Sequence, residues 1–211
     1  LCRNGGLSLE QRIIKRIFDI VVSAVGVVAL SPIMLLIALA IKIDDGGKIF
    51  YKQKRLTIDA REFYVYKFRS MIADAEKDGV PRLATDKDSR VTRVGKFLRK
   101  CRLDELPQLI NILKGDMSVV GPRPERPELT EKYEREMPEF KFRLKVKAGL
   151  TGYAQVTGVY DTTPYDKLKM DLMYIEKYSF VMDLRIVLMT IKTMIFPGEM
   201  NSKLKKLKGK K

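Results

Sequence analysis

Histidine is absent from the 211-residue sequence. That excludes His-based catalytic triads and His-ligated metal sites, so any acid, base or nucleophile must be a carboxylate, lysine, tyrosine, serine or cysteine. Cysteine is scarce as well. Cys2 and Cys101 form no metal-spaced or redox motif and read as two reduced thiols. No internal repeat and no second domain is visible, and the length suits one domain with a real core. Charge is missing altogether from Ile20 to Ile41. At ~1.5 Å per helical residue such a run reaches across a ~30 Å hydrocarbon core.

The uncharged run has two peculiarities. Ser31-Pro32 sits near its centre, where proline removes a backbone donor and clashes with the preceding turn. Arg12, Lys15 and Arg16 precede it, and Lys42, Lys48, Lys52, Lys54 and Arg55 follow it. Basic residues mark the cytoplasmic side of a membrane segment, and here both ends claim that side. A straight kinked span leaves the two-sided charge unexplained. A buried core helix is disfavoured because a small domain rarely hides so long an all-round apolar stretch. A secretory signal fits badly, since Ala38 and Ala40 lead into basic sequence. A re-entrant membrane helix over residues 12–43, bent at Ser31 and Pro32, answers both peculiarities. Ser31 would back-bond to a helical carbonyl and Pro32 would free one.

Basic residues outnumber acidic ones, 41 to 26, for a formal charge of +15. Such a surface suits anionic headgroups, nucleotide phosphates or nucleic acid. Six lysines lie between Lys203 and Lys211, so residues 198–211 read as a basic, disordered tail. Between membrane segment and tail, residues 44–197 read as one compact mixed domain. Lys48 to Arg55 and Glu62 to Phe68 alternate aromatic and charged residues around Thr57-Ile58-Asp59-Ala60, the pattern of a β-hairpin. Helical patterns cover Met71 to Asp78, Val94 to Lys100, Leu106 to Leu113, Glu128 to Met137, Tyr165 to Lys177 and Leu184 to Phe196. Gly149 to Thr157 reads as loop and short strand. The fold class expected is α+β, mainly helical, with a re-entrant membrane helix hairpin, a small β-hairpin and interfacial helices. The last helix carries few charges and packs in the core or lies at the bilayer interface.

Candidate chemistry concentrates between Arg90 and Glu128. In Arg99-Lys100-Cys101-Arg102-Leu103-Asp104-Glu105-Leu106-Pro107 two acids stand just before a helix, with a basic cluster upstream. Pro107 suits the first helical turn and places Asp104 and Glu105 near the helix start. Acids there serve as caps and dipole partners. The same environment attracts phosphate and keeps a carboxylate ionised and nucleophilic. Neighbours on a helix point about 100° apart, so the two acids would take distinct roles.

Arg93-Val94-Gly95-Lys96-Phe97-Leu98-Arg99, Leu103-Asp104-Glu105-Leu106-Pro107-Gln108-Leu109, Asn111-Ile112-Leu113-Lys114-Gly115-Asp116-Met117-Ser118 and Val120-Gly121-Pro122-Arg123-Pro124 follow one another. Together they resemble the signature of the bacterial sugar transferases, monotopic polyprenyl-phosphate phosphoglycosyl transferases that start exopolysaccharide and related glycan synthesis. Lys15-Arg16-Ile17-Phe18-Asp19, Ser31-Pro32, Tyr66-Lys67-Phe68-Arg69-Ser70-Met71 and Gly149-Leu150-Thr151-Gly152 extend the resemblance over nearly the whole chain. Leu56-Thr57 and Ala148 depart from it, where relatives commonly have glycine and proline. The Leu7 to Gln11 and Val159 to Leu168 stretches resemble the larger members, so the chain is expected to be the catalytic portion of such a protein.

The resemblance implies that Asp104 is the nucleophile toward a UDP-sugar, giving a phosphosugar-aspartate and UMP, with Glu105 assisting. Undecaprenyl phosphate would then take the phosphosugar. It implies Mg²⁺ as cofactor, with Asp104 and Asp171 as its ligands, and Arg99, Arg123 and Lys67 as phosphate-binding residues. Phosphoryl transfer rests on positioning and charge stabilisation, so histidine is dispensable. The implied partners are UDP-sugar, undecaprenyl phosphate and membrane lipid, with no nucleic acid; a homodimer stays open. The implied place is the cytoplasmic face of the bacterial inner membrane. Competing classes, a basic membrane adaptor or a nucleic-acid-binding module, leave the Asp104, Glu105 and Arg123 arrangement unused.

Overall fold

A computed structural model describes residues 6–72, 75, 88–158 and 162–195. Cys2, the tail 198–211, residues 159–161 and most of the helix expected from Met71 to Asp78 lie outside the described residues. The chain opens with α1 (Leu9–Asp45). A capping box fixes its start: Gln11 N donates to Ser8 Oγ at 3.3 Å and Ser8 N donates to Gln11 Oε1 at 2.9 Å. Gly46, at φ 69°, ends it in the left-handed conformation glycine tolerates.

The helix is assigned without interruption across Ser31-Pro32, with Pro32 inside it. Proline deletes one helical bond, the one Val28 C=O would accept, and Ser31 Oγ donates to that same carbonyl at 2.8 Å. The anticipated back-bond is therefore present, and with the orphaned carbonyl satisfied the turn need not unwind. Among the described residues α1 is the one helix long and apolar enough to cross a membrane. Only 11% of its most apolar window is buried, and Val28 and Leu36 are 74% and 66% exposed. A soluble core helix would bury that window.

The body that follows is mainly helical. β1 (Phe50–Leu56) and β2 (Glu62–Phe68) pair antiparallel in the register Phe50 with Phe68 and Leu56 with Glu62. The turn between them places Asp59 and Ala60 at φ 55° and 57°. Next come α2 (Arg93–Lys100), a 3₁₀ turn (Leu103–Glu105), α3 (Gln108–Lys114) and β3 (Ser118–Val120). α4 (Pro127–Glu136) leads through a 3₁₀ segment (Pro138–Lys145) to β4 (Gly149–Thr151) and α5 (Tyr153–Thr157). α6 (Pro164–Glu176) and α7 (Phe180–Ile195) close the described chain. β3 and β4 form a short parallel pair that the sequence pattern did not suggest. α7 starts earlier than Leu184.

One core gathers Phe63, Val65, Leu109, Ile112, Met117, Val120, Tyr174 and Ile186, with Phe18 and Val22 of α1 packed on it. A second joins Ile37 and Ile41 of α1 to Phe68 and Leu98. Both halves of α1 thus rest on the same body. Its first half does so through polar residues. Lys15 donates to Asp183 Oδ2 at 2.5 Å, and Asp19 Oδ1 accepts from Ser118 Oγ at 2.9 Å and Val119 N at 2.8 Å. Lys15 is therefore a buried, neutralised ion-pair partner rather than a flanking surface charge.

Candidate active site

The acid pair is positioned by a sharp change of chain direction. Thr92 caps α2, its Oγ1 accepting from Gly95 N at 3.0 Å. A Cβ on Gly95 would lie 2.1 Å from Ser70 O, so only glycine lets α2 press against the end of β2. Arg102, at φ 56°, then ends the helix and swings Leu103–Glu105 into a 3₁₀ turn. Left-handed backbone is uncommon for arginine and marks local strain. Pro107 is the N-cap of α3, not a first-turn residue, and no side chain caps that helix. The capping account of Asp104 and Glu105 therefore fails.

Glu105 is fully engaged. Its Oε1 accepts from Lys67 Nζ at 2.7 Å and from Arg123 Nη2 at 2.8 Å. Burial alone would raise its pKa, but the Arg123 and Lys67 charges hold the carboxyl well below the usual range. Lys67 itself is pushed down by burial, against the pull of Glu105. Asp104 lies in the opposite situation. Among the described residues no side chain is hydrogen-bonded to its carboxylate, and burial followed by the Glu105 charge raises its pKa. Lys67 and Arg99 act on it only through space, as charges. Arg99 is held off by Ser70, whose Oγ accepts from Nε at 3.1 Å. Two adjacent carboxyls are thus driven apart, which is how a site divides roles between them.

Arg55, Val65, Lys67, Glu105, Gln108, Arg123 and Pro124 line an open crevice beside Glu105. The sequence reading gives Arg55 and Gln108 no site role. Arg55 donates to Pro124 O at 3.2 Å, and burial pushes its pKa down to about 10. Gln108 is 3% exposed and its Nε2 has no partner among the described residues, an amide donor left over at the wall of a cationic crevice. Its place inside the Leu-Pro-Gln-Leu stretch was the available signal.

Asp171 is placed elsewhere. It is buried and accepts from Arg143 Nε at 2.7 Å, while Arg143 Nη2 donates to the Arg123 carbonyl at 3.1 Å. The charges acting on it are Arg143, Glu125 and Lys167, not the acid pair. The structure does not bring Asp104 and Asp171 together as a metal-ligand pair, because Asp171 is spent on Arg143. It holds the Arg123 loop from behind. Among the described residues no three acidic, histidine or cysteine side chains converge. Asp104 is the free carboxylate of the site. One carboxylate with water and substrate phosphates is a donor set that suits Mg²⁺.

Residues 10–197 match the family model described as bacterial sugar transferase. Curated relatives agree. The chain is 42% identical over 185 residues to a UDP-N-acetylgalactosamine-undecaprenyl-phosphate N-acetylgalactosaminephosphotransferase of Aeromonas hydrophila, covering 86% of this chain and 44% of that protein. It is 42% identical over 190 residues to a UDP-glucose:undecaprenyl-phosphate glucose-1-phosphate transferase of Escherichia coli (strain K12), covering 88% and 41%. It is 38% identical over 196 residues to an exopolysaccharide production protein of Rhizobium leguminosarum bv. phaseoli, covering 89% and 98%. The chain therefore spans about two fifths of the length of the first two relatives.

Proposed function

The chain belongs to the bacterial sugar transferase family, and from that premise we propose that it moves a sugar 1-phosphate from a UDP-sugar to undecaprenyl phosphate. The observation that carries the reading is the unequal state of two neighbours: Glu105 clamped by Lys67 and Arg123, and Asp104 with no side chain among the described residues bonded to its carboxylate. A carboxylate oxygen of Asp104 attacks the β-phosphorus of the UDP-sugar. The bond from that phosphorus to the bridging oxygen breaks, and UMP leaves with the electron pair. An oxygen of undecaprenyl phosphate then attacks the phosphorus of the phosphosugar-aspartate. Asp104 is released and undecaprenyl-diphospho-sugar forms.

Lys67 and Arg123 keep Glu105 ionised and in place, and their remaining donors face the diphosphate. Arg99 adds positive charge near Asp104. Bound through Asp104, Mg²⁺ would offset the charge of the diphosphate. The membrane reading follows from α1. Its apolar outer face is exposed, and both halves pack on one body, which a straight span of about 55 Å could not allow with its ends on opposite sides. We infer a monotopic anchor with both ends at the cytoplasmic face, Pro32 marking its deepest part.

Intact mass after incubation with UDP-sugar and Mg²⁺, without lipid acceptor, tests the chemistry. The relatives' names divide between glucose and N-acetylgalactosamine, so both donors belong in the assay. A phosphosugar adduct on the chain, absent from Asp104→Asn, is expected. UMP release that persists undiminished in that variant would overturn the mechanism.

A further inference from the structure

A second cationic centre lies at the far end of α3 from the acid pair. Arg16 of α1 donates from Nη1 to Ile112 O at 2.7 Å and from Nη2 to Leu113 O at 2.8 Å, closing the last turn of α3. Those bonds go to carbonyls, so its charge is not neutralised by an acid. Lys147, half-buried just before β4, reaches the same place. A Cβ on Gly115 would sit 3.5 Å from Arg16 Nη2 and 3.7 Å from Lys147 Nζ, so both cationic heads meet over one glycine.

Among the described residues no acid pairs with Lys147. Of the two acids whose charge it feels, Asp19 is spent on Ser118 and Val119, and Asp116 Oδ1 is held by Arg61 at 3.0 Å. Burial, and after it the like charges of Arg16 and Arg61, lower the pKa of Lys147. Capping a seven-residue helix explains Arg16, but it does not explain a second, half-buried cation beside it. Such a site is completed by an anion.

The surroundings say which anion. Ile13, Ile17 and Ile20, the neighbours of Arg16 along α1, are 53%, 58% and 42% exposed and apolar. A cationic pocket at the foot of an uncovered apolar face fits a ligand with an anionic head and hydrocarbon tails. We propose that Arg16 and Lys147, with Arg61 at the rim, bind the phosphodiester headgroup of an anionic membrane lipid, apart from the substrate crevice. This rests on the membrane placement of α1 proposed above.

The test uses the full chain in detergent with equal amounts of phosphatidylglycerol and phosphatidylcholine, the retained lipids being counted by native mass spectrometry. Preferential retention of phosphatidylglycerol is expected. Lys147→Gln should reduce that preference about fivefold, and Lys132→Gln, which removes an exposed charge on α4, less than about twofold. Equal losses in the two variants would reduce the effect to general surface charge and overturn the site. Loss of the preference on adding inorganic phosphate, but not chloride of equal ionic strength, would reassign the pocket to a soluble phosphate and overturn the lipid assignment. Retention of both lipids without preference would also overturn it while leaving the anchor standing. Retention of neither lipid would remove the anchor and this inference together. An unchanged unfolding temperature for Lys147→Gln shows that the loss is not one of folding.

Discussion

Two clusters of buried charge in the body are built on different terms. At the junction of α1, α6 and α7, Lys15 meets Asp183 at 2.5 Å and Tyr174 Oη at 3.2 Å, and Tyr174 Oη donates to Asp183 at 2.7 Å. Both charges of that pair are neutralised within the fold. In the crevice, Lys67 and Arg123 converge on Glu105, while neither bonds to Asp104, the residue just before it. A half-buried carboxylate with no side-chain partner disfavours folding, since its desolvation is only partly offset. On the proposed reading, the closed cluster is scaffold and the open one is where a substrate would bind.

Breaking each cluster should separate activity from stability. Asp104→Asn is expected to lower turnover by at least about a thousandfold. The same change should leave the unfolding midpoint where it was or raise it slightly, because no folded contact is lost. Steady-state UMP release and thermal unfolding on one preparation measure both. Lys15→Met should do the reverse. It strands Asp183 in the interior and should destabilise the fold by about 3–5 kcal/mol, read as a lowered denaturant midpoint. Whatever protein remains folded should still form the phosphosugar adduct. A Lys15→Met variant of normal stability but no adduct would erase the distinction between the two clusters.

Asp171 tests whether the scaffold reaches into the site. Through Arg143 it holds the carbonyl of Arg123, whose side chain holds Glu105. Asp171→Asn should let the Arg123 loop shift and slow turnover by up to about a hundredfold, since small misplacements carry penalties of that order. The Mg²⁺ concentration giving half-maximal rate should stay put. A large rise in it would restore Asp171 to the metal and undo its assignment to the loop.

What was legible in the chain follows the range of the interactions. The hairpin showed because its residues alternate locally; Phe63 and Val65 turn inward while Tyr64 faces out. The acid pair and the Pro-Arg-Pro loop showed as contiguous motifs. Which acid is engaged did not, because Lys67 lies 38 positions before Glu105 and Arg123 lies 18 after it. Arg143 and Asp171, 28 positions apart, were equally invisible as a pair, and Asp171 was given to the metal. A short strand is legible within Gly149 to Thr157, where β4 lies, but the three-residue β3 and its parallel pairing with β4 carry too little local pattern to be read. A missed signal did exist in α1. Lys15, Asp19 and Ser23 recur every fourth residue, all buried, a polar stripe aimed at the body where flanking charge alone was inferred.

The smallest expected effect concerns the middle of α1, where both clusters are out of reach. Pro32 deprives the Val28 carbonyl of its helical donor and Ser31 Oγ supplies another, so the pair carries its own local repair. Ser31→Ala removes the repair and should lower stability by only about 1 kcal/mol or less, the worth of one hydrogen bond at an exposed turn. Replacing Pro32 by alanine as well restores the backbone donor and should recover that loss. The double variant therefore separates repair from shape. If Ser31→Ala,Pro32→Ala is as stable as the parent yet single-cysteine labelling moves one end of α1 across the bilayer, the residues serve topology. If labelling is unchanged, the anchor is set by the two ends of α1, Lys15 and Asp19 on one core and Ile37 and Ile41 on the other.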